Sequence, residues 1–192
     1  MSKHATTSPP ARAPQKNGAS AHTHGPHCCN GAGAGRLSCE VRIRLYVPQD
    51  FKALNAIWKA GDMALDDTDT AEAMAENLQR FKNSYRVFVA EAQMVQGRNG
   101  AVGRRRLAGG VVTAFDGHRA SVYHLAVHPE FRGVGLGRAL LDTCERQAKI
   151  WGARHLRLTA RTDASRAAAR RMYAKAGWEV DSTICVYRKT LH

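Results

Sequence analysis

Apolar and charged positions alternate in Val41–Tyr46 (VRIRLY), the period of a strand with one buried face. Pro48 then opens a helix in which Phe51, Leu54 and Trp58 share one side. A second helix follows, with Asp69 or Thr70 as N-cap and Met74, Leu78 and Phe81 on its apolar stripe. Three strand-like runs come next, Arg86–Ala92, Leu107–Phe115 and Ala120–Val127, joined by QGRNGAVGRRR and DGHR, whose turn residues suit antiparallel hairpins. After Gly137 a long helical pattern carries Leu140, Cys144, Ala148 and Trp151 on one side, and Gly152 is placed to stop it. A strand over His155–Ala160, an Ala-rich helix over Ala164–Gly177 with Ala164, Ala168, Met172 and Ala176 on one face, and a terminal strand in Thr183–Lys189 complete the chain. The order β-α-α-β-β-β-α-β-α-β predicts an α/β protein with a mixed sheet.

Composition changes this picture mainly at the N-terminus. Met1–Cys39 holds four basic residues, no Asp or Glu, and much Pro, Gly, Ala, Ser and His, so it cannot bury enough apolar surface to offset its ordering entropy. The expected organisation is a disordered extension over 1–39 and a single domain over 40–192, with the boundary near Glu40. The HTHGPHCCN stretch offers His22, His24, His27, Cys28 and Cys29 as metal-ligand types, but it lacks the paired half-sites of a structural zinc module, and no metal is expected. Five cysteines, Cys28, Cys29, Cys39, Cys144 and Cys185, make no disulfide framework. With no continuous apolar block of the roughly 20 residues that span a bilayer, a cytoplasmic protein without membrane contact is expected.

The net charge of +13 suggests a polyanion partner. Neither the basic GRRR loop (Gly103–Arg106) nor the helix arginines have interleaved aromatics to stack bases, so the charge does not by itself argue for nucleic acid.

The chemistry concentrates in YHLAVHPEFRGVGLGRALL, Tyr123 to Leu141. A strand ends at Val127, and Arg132-Gly133-Val134-Gly135-Leu136-Gly137 leads into a helix; glycine turns with free N–H groups at a helix N-terminus make an anion cradle. A nucleotide P-loop requires Lys-Ser or Lys-Thr after its glycines, and Arg138-Ala139 stands there instead. A dinucleotide fingerprint requires a third glycine where Arg138 sits, and an early βαβ unit that this chain lacks.

Arg132-x-x-Gly135-x-Gly137, with LAVHPEF before it and an amphipathic helix after it, resembles the acyl-CoA-binding motif of the GNAT superfamily of N-acetyltransferases. About 40 residues on, RRMYAKAGWE resembles that family's second motif, here Tyr173-Ala174-Lys175-Ala176-Gly177-Trp178. The resemblance covers essentially all of 40–192 and is strongest to small bacterial acetyltransferases of unsettled substrate. It implies a mostly antiparallel twisted sheet of about seven strands, splayed after the fourth and flanked by about four helices.

It also implies roles. Amides from Arg132 through Gly133, Val134, Gly135, Leu136 and Gly137 to Arg138 would hold the CoA pyrophosphate; Leu125, Ala126 and Val127 would bind the pantetheine arm, with a Val127 amide near the acetyl carbonyl; Tyr173 would protonate the leaving thiolate. Where family members often carry Asn, seven residues before this Tyr, the chain has Arg166. Acetyl-CoA is then the co-substrate, an amine the acceptor, and attack direct, since neither Cys144 nor Cys185 has a paired His.

The general base stays open. By strand alternation Ser121, Tyr123, Leu125 and Val127 face one way and Val122, His124, Ala126 and His128 the other. The resemblance puts strand-borne bases on the Tyr123 side, so His124 reads as a packed or hydrogen-bonded histidine, leaving Glu91, Asp116, His118 or a water chain. Between Ala60 and Gln79 there is no Lys or Arg, but there are Asp62, Asp66, Asp67, Asp69, Glu72 and Glu76, an acidic lip that would attract a cationic acceptor. A catalytically silent acyl-CoA sensor and a basic nucleic-acid-associated protein are the rival readings, and a homodimer is left open.

Overall fold

The structure, a computed structural model, describes residues 27–28, 38–96, 101–187 and 189. The expected extension over 1–39, with its His and Cys group, lies almost wholly outside the described residues. Five strands form the sheet: β1 (Ser38–Leu45), β2 (Tyr85–Gln96), β3 (Arg106–Phe115), β4 (Ala120–Val127) and β5 (Leu156–Leu158). They lie in sequence order, with every pairing antiparallel except β4 with β5. Two-residue segments at His27–Cys28 and Ala101–Val102 pair with β1 and β2. The helices are α1 (Phe51–Ala60), α2 (Ala71–Arg80), α3 (Leu136–Ile150) and α4 (Ala167–Lys175). Among the described residues no helix is long and apolar enough to cross a membrane.

The sheet is covered on both faces. α1 and α2 close one with Leu54, Ile57, Trp58 and Met74 against Val87, Val89, Val112 and Ala126. α3 closes the other with Leu136, Leu140, Leu141 and Cys144 against Val41, Ile43, Phe88, Val111 and Val122. β3 runs between both layers, which is why its Ala108–Thr113 stretch is buried throughout instead of alternating. Thr113 tolerates this because its hydroxyl donates to Ser121 O at 3.0 Å.

Two glycines in β3 set how closely its neighbours approach. A Cβ on Gly110 would collide with Leu54 Cδ1, and one on Gly109 would lie 2.8 Å from the backbone oxygen of Ala126 in β4. Gly109→Ala is therefore expected to cost about 1–3 kcal/mol, because a strand backbone cannot swing aside as a side chain can. Urea denaturation would show it as a lower midpoint at unchanged slope.

Counted with the two two-residue segments the sheet has seven strands, but the expected terminal strand is not among them. Thr183–Tyr187 pairs with nothing among the described residues, and Ile184, Val186 and Tyr187 are exposed. The neighbouring edge, β5, is three residues long where His155–Ala160 was expected, too short to register a seven-residue partner. Asp181 instead draws Thr183 N–H (3.0 Å) and Oγ1–H (2.6 Å) into a local turn that competes with extension. The last helix also differs: its first turn, Ala164–Arg166, is a 3-10 segment, and Ala164 and Ala168 are exposed while Met172, Tyr173 and Ala176 face inward.

Candidate functional site

β4 ends at Val127, and a 3-10 turn at Pro129–Phe131 anchors the exit through buried Phe131. The chain then reverses through Gly133 (φ +81°) and Gly135 (φ +86°), the latter serving as N-cap of α3. A Cβ on either would meet nothing within 4 Å, so the left-handed backbone, not crowding, requires glycine there. Gly137 is constrained differently: its Cβ would lie 2.8 Å from Met172 Sδ, so its bareness lets α4 seat on α3. Among the described residues no acceptor meets the N–H groups of Gly133 through Arg138; the first bonded amide is Ala139, onto Gly135 O at 3.0 Å. Together with the positive end of the helix dipole, these amides suit a phosphate-bearing ligand. Arg132 folds back to donate from Nε to Val127 O (3.2 Å), and Arg138 pairs with Asp142 (2.6 Å).

Beside this turn the sheet splays. β4 pairs with β5 only at Ala120–Val122, leaving Tyr123–Val127 unpaired on that side. His128 N–H bonds to Ala108 O at 2.8 Å, so by antiparallel alternation the Val127 N–H and C=O point into the splay. Tyr173 packs into the same cluster as Leu125, Val127 and Val134, with its ring 6.4 Å from Trp178. Burial pushes its pKa above the usual 10, with Arg166 pulling more weakly the other way. Among the described residues nothing hydrogen-bonds its hydroxyl, which stays protonated at neutral pH.

On the other face, strand alternation fails. The β3–β4 register slips between Gly110/Val112 and Ala126/Tyr123, an extra β4 residue that leaves His124 at φ +50°. Tyr123 and His124 consequently lie on the same side, both lining a cavity under α1 and α2, and the expectation that His124 faces away from Tyr123 is corrected. Its Nε2 lies 2.7 Å from Asp69 Oδ1, and its backbone oxygen accepts from Trp58 Nε1 at 3.1 Å. Along the sequence Asp69 shows only as a candidate cap and as one acidic charge of six. The cap is Thr70, whose hydroxyl accepts Ala73 N–H at 3.1 Å. Gly109-Gly110, opposite the slip, was the one signal available in the sequence, since glycine pairs inside strands mark bulges.

The expected bases fall elsewhere. Glu91 is tied to Arg44 at 2.8 Å, and Arg44 also holds Asp50 at 2.6 Å, a cluster that locks β1 and β2 to the start of α1. Asp116 accepts the N–H groups of Arg119 (2.7 Å) and His118 (2.8 Å), which hold it below the usual carboxylate range, and His118 is exposed on the same turn. Arg166, at the N-cap of α4, reaches across to donate to Gly61 O (2.7 Å) and Asp62 O, while Arg161 holds the Asp62 carboxylate at 3.1 Å. Of the acidic lip, Asp62 is thus consumed internally and Glu76 faces Arg80; Asp69 alone of the six lines the cavity. Burial pushes the Cys144 thiol up to about 12, unsuited to nucleophilic attack.

The sheet is thus opened at its fourth strand, with free amides past the end of that strand and the partly buried Tyr173 packed beside it, an arrangement that suits an extended phosphate-bearing ligand. The model of the acetyltransferase (GNAT) family matches residues 53–178, and the chain belongs to that family. Its members use acetyl-CoA, and acetyl transfer to an amine is general among them. An acetyltransferase of Yersinia enterocolitica is 28% identical over 79% of this chain and 96% of its own. Glucosamine-6-phosphate N-acetyltransferase from Arabidopsis thaliana shares the fold at TM-score 0.56 and 16% identity, covering 78% of this chain and 97% of that one. The structure of yncA from Salmonella typhimurium with its cofactor acetyl-CoA aligns at TM-score 0.54 and 25% identity, over 72% and 79% of the two chains.

Proposed function

We propose that this protein transfers the acetyl group of acetyl-CoA to a primary amine by direct attack in a ternary complex. The observation that carries the reading is the meeting, in one cluster, of the free-amide turn, the unpaired end of β4 and the Tyr173 hydroxyl. The N–H groups of Gly133 through Arg138 hold the pyrophosphate. The edge from Leu125 to Val127 aligns the pantetheine arm, and the Val127 N–H, pointing into the splay, polarises the acetyl carbonyl where charge develops. Tyr173 supplies the proton that the departing sulfur needs. Buried Cys144 argues against an acyl-enzyme.

The test is calorimetric titration of acetyl-CoA, with ATP as control, followed by free-thiol release with a panel of amines, amino acids and basic peptides. Tight acetyl-CoA binding with thiol release is expected; binding without release would leave an acyl-CoA sensor. Gly135→Val should raise the acetyl-CoA Kd by roughly tenfold, because a branched side chain at φ +86° costs about 1–2 kcal/mol and turns the amides away. An unchanged Kd would remove the turn from the binding site.

A further inference from the structure

The cavity beside His124, about 120 Å³ in volume, opens between α1, the approach to α2, β2 and β4. At its wall Asp69, only 11% exposed, is fixed from both sides: Oδ2 accepts Asp66 N–H at 3.0 Å, and Oδ1 faces His124 Nε2 at 2.7 Å. A proton on Nε2 for that carboxylate leaves Nδ1 with its lone pair, and among the described residues Nδ1 takes no hydrogen bond. The histidine is held in a left-handed conformation by partners on two elements, Trp58 on α1 and Asp69 before α2, and such over-determined strain gathers where a side chain must be aimed.

Resting on the acetyl-transfer reading above, we infer that this cavity is the acceptor site for a primary amine on a short apolar or aromatic body, with His124 accepting the proton that the nitrogen loses and Asp69 positioning the imidazole. Asp69 is the one carboxylate lining the cavity among the described residues, and Tyr85 and Tyr123, which also line it, are ring types that attract an ammonium group. Burial and, after it, the Asp69 charge push the Tyr85 hydroxyl up to about 12, so it lines the cavity as a neutral phenol. A second cavity of about 320 Å³ shares Asn77, Tyr85 and Tyr123 with the first and runs past Phe81 and Phe115 towards Asp116 and Arg119, giving the body of the amine an apolar trench.

In the transfer, the bound ammonium first gives a proton to Nδ1 of His124, which frees the lone pair that forms the C–N bond as the C–S bond breaks. The sulfur takes the Tyr173 proton, the nitrogen's second proton returns to the Tyr173 oxygen, and His124 passes its proton to solvent, so ammonium plus thioester give amide, thiol and one solvent proton. The titratable groups facing His124 are Asp69, Tyr85 of β2 and Tyr123 of β4; α1 and β3 contribute Trp58 and Val112, which do not titrate.

The experiment uses the full chain with phenethylamine as acceptor probe and His124→Gly, since glycine accepts φ +50° without strain. The variant should lose about 100-fold or more in kcat with the acetyl-CoA Kd unchanged. Imidazole added to the buffer should restore part of the loss, and the gap to the native protein should narrow at alkaline pH, where the amine sheds its own proton. Asp69→Asn should lower kcat in the same direction and weaken phenethylamine binding, read by calorimetry in the presence of CoA; it carries the test alone if His124→Gly does not fold. A kcat within about threefold of native for the folded variant, with acetyl-CoA still bound, would overturn the histidine's role and leave acetyl transfer standing. Phenethylamine that neither binds nor reacts while a basic peptide is acetylated would overturn the acceptor class, and failure of acetyl-CoA to bind would overturn both readings.

Discussion

Tyr173→Phe is expected to lower turnover by about 100- to 10,000-fold while leaving acetyl-CoA affinity within about twofold of native. The substitution removes one oxygen and keeps the ring that packs in one cluster with Trp178, Leu125 and Val127, so the fold and the glycine turn are undisturbed. What disappears is a proton held in reserve: burial keeps the hydroxyl protonated well above neutral pH, and no neighbour among the described residues competes for it. The loss should therefore persist across the neutral range. Steady-state thiol release at saturating acetyl-CoA, paired with calorimetry, separates the two effects, and full turnover in the variant would remove Tyr173 from proton transfer.

The second large effect is structural. Trp58→Ala should cost about 3–5 kcal/mol of folding stability, read as the urea midpoint. Trp58 is fully buried at the centre of the α1 layer, beside Leu54 and Ile57, and a truncation there leaves a void that a helix clamped by Arg44–Asp50 at its start cannot collapse to fill. It also removes the indole donor to the His124 oxygen, the bond that satisfies the bulged strand. Trp58→Phe isolates this second part: it retains most of the packing and should cost about 1–3 kcal/mol for the carbonyl left without a donor. A loss below about 1 kcal/mol for Trp58→Ala would mean that the α1 layer repacks freely.

Much of the architecture follows from local periodicity. Leu54 and Trp58, Leu140 and Cys144, and the alternating Val41 and Ile43 each report a buried face through spacing alone, and the helices and central strands lie where those spacings place them. The glycine turn was equally legible because positive φ and free amides are properties of a short segment. What spacing cannot register is an inserted residue whose partner is another strand: the slip at His124 depends on how β3 and β4 meet, and one extra residue reverses the facing of a side chain. The Asp69–His124 contact joins positions 55 residues apart and was invisible for that reason. The terminal strand failed similarly. Thr183–Lys189 has strand-forming residues, but pairing needs an edge, and β5 offers only three residues.

The seat of α4 on Gly137 makes two distant positions answer to each other. With Met172 Sδ only 2.8 Å from where a Cβ would stand, Gly137→Ala would turn the Met172 thioether out of its place beside α3, whereas the same change in a chain whose residue 172 had already been shortened would meet only ordinary contact with Val127. Effects of substitution at these two sites are thus non-additive. The constraint on this glycine is steric and borrowed: what position 137 tolerates is decided by the side chain that stands at 172.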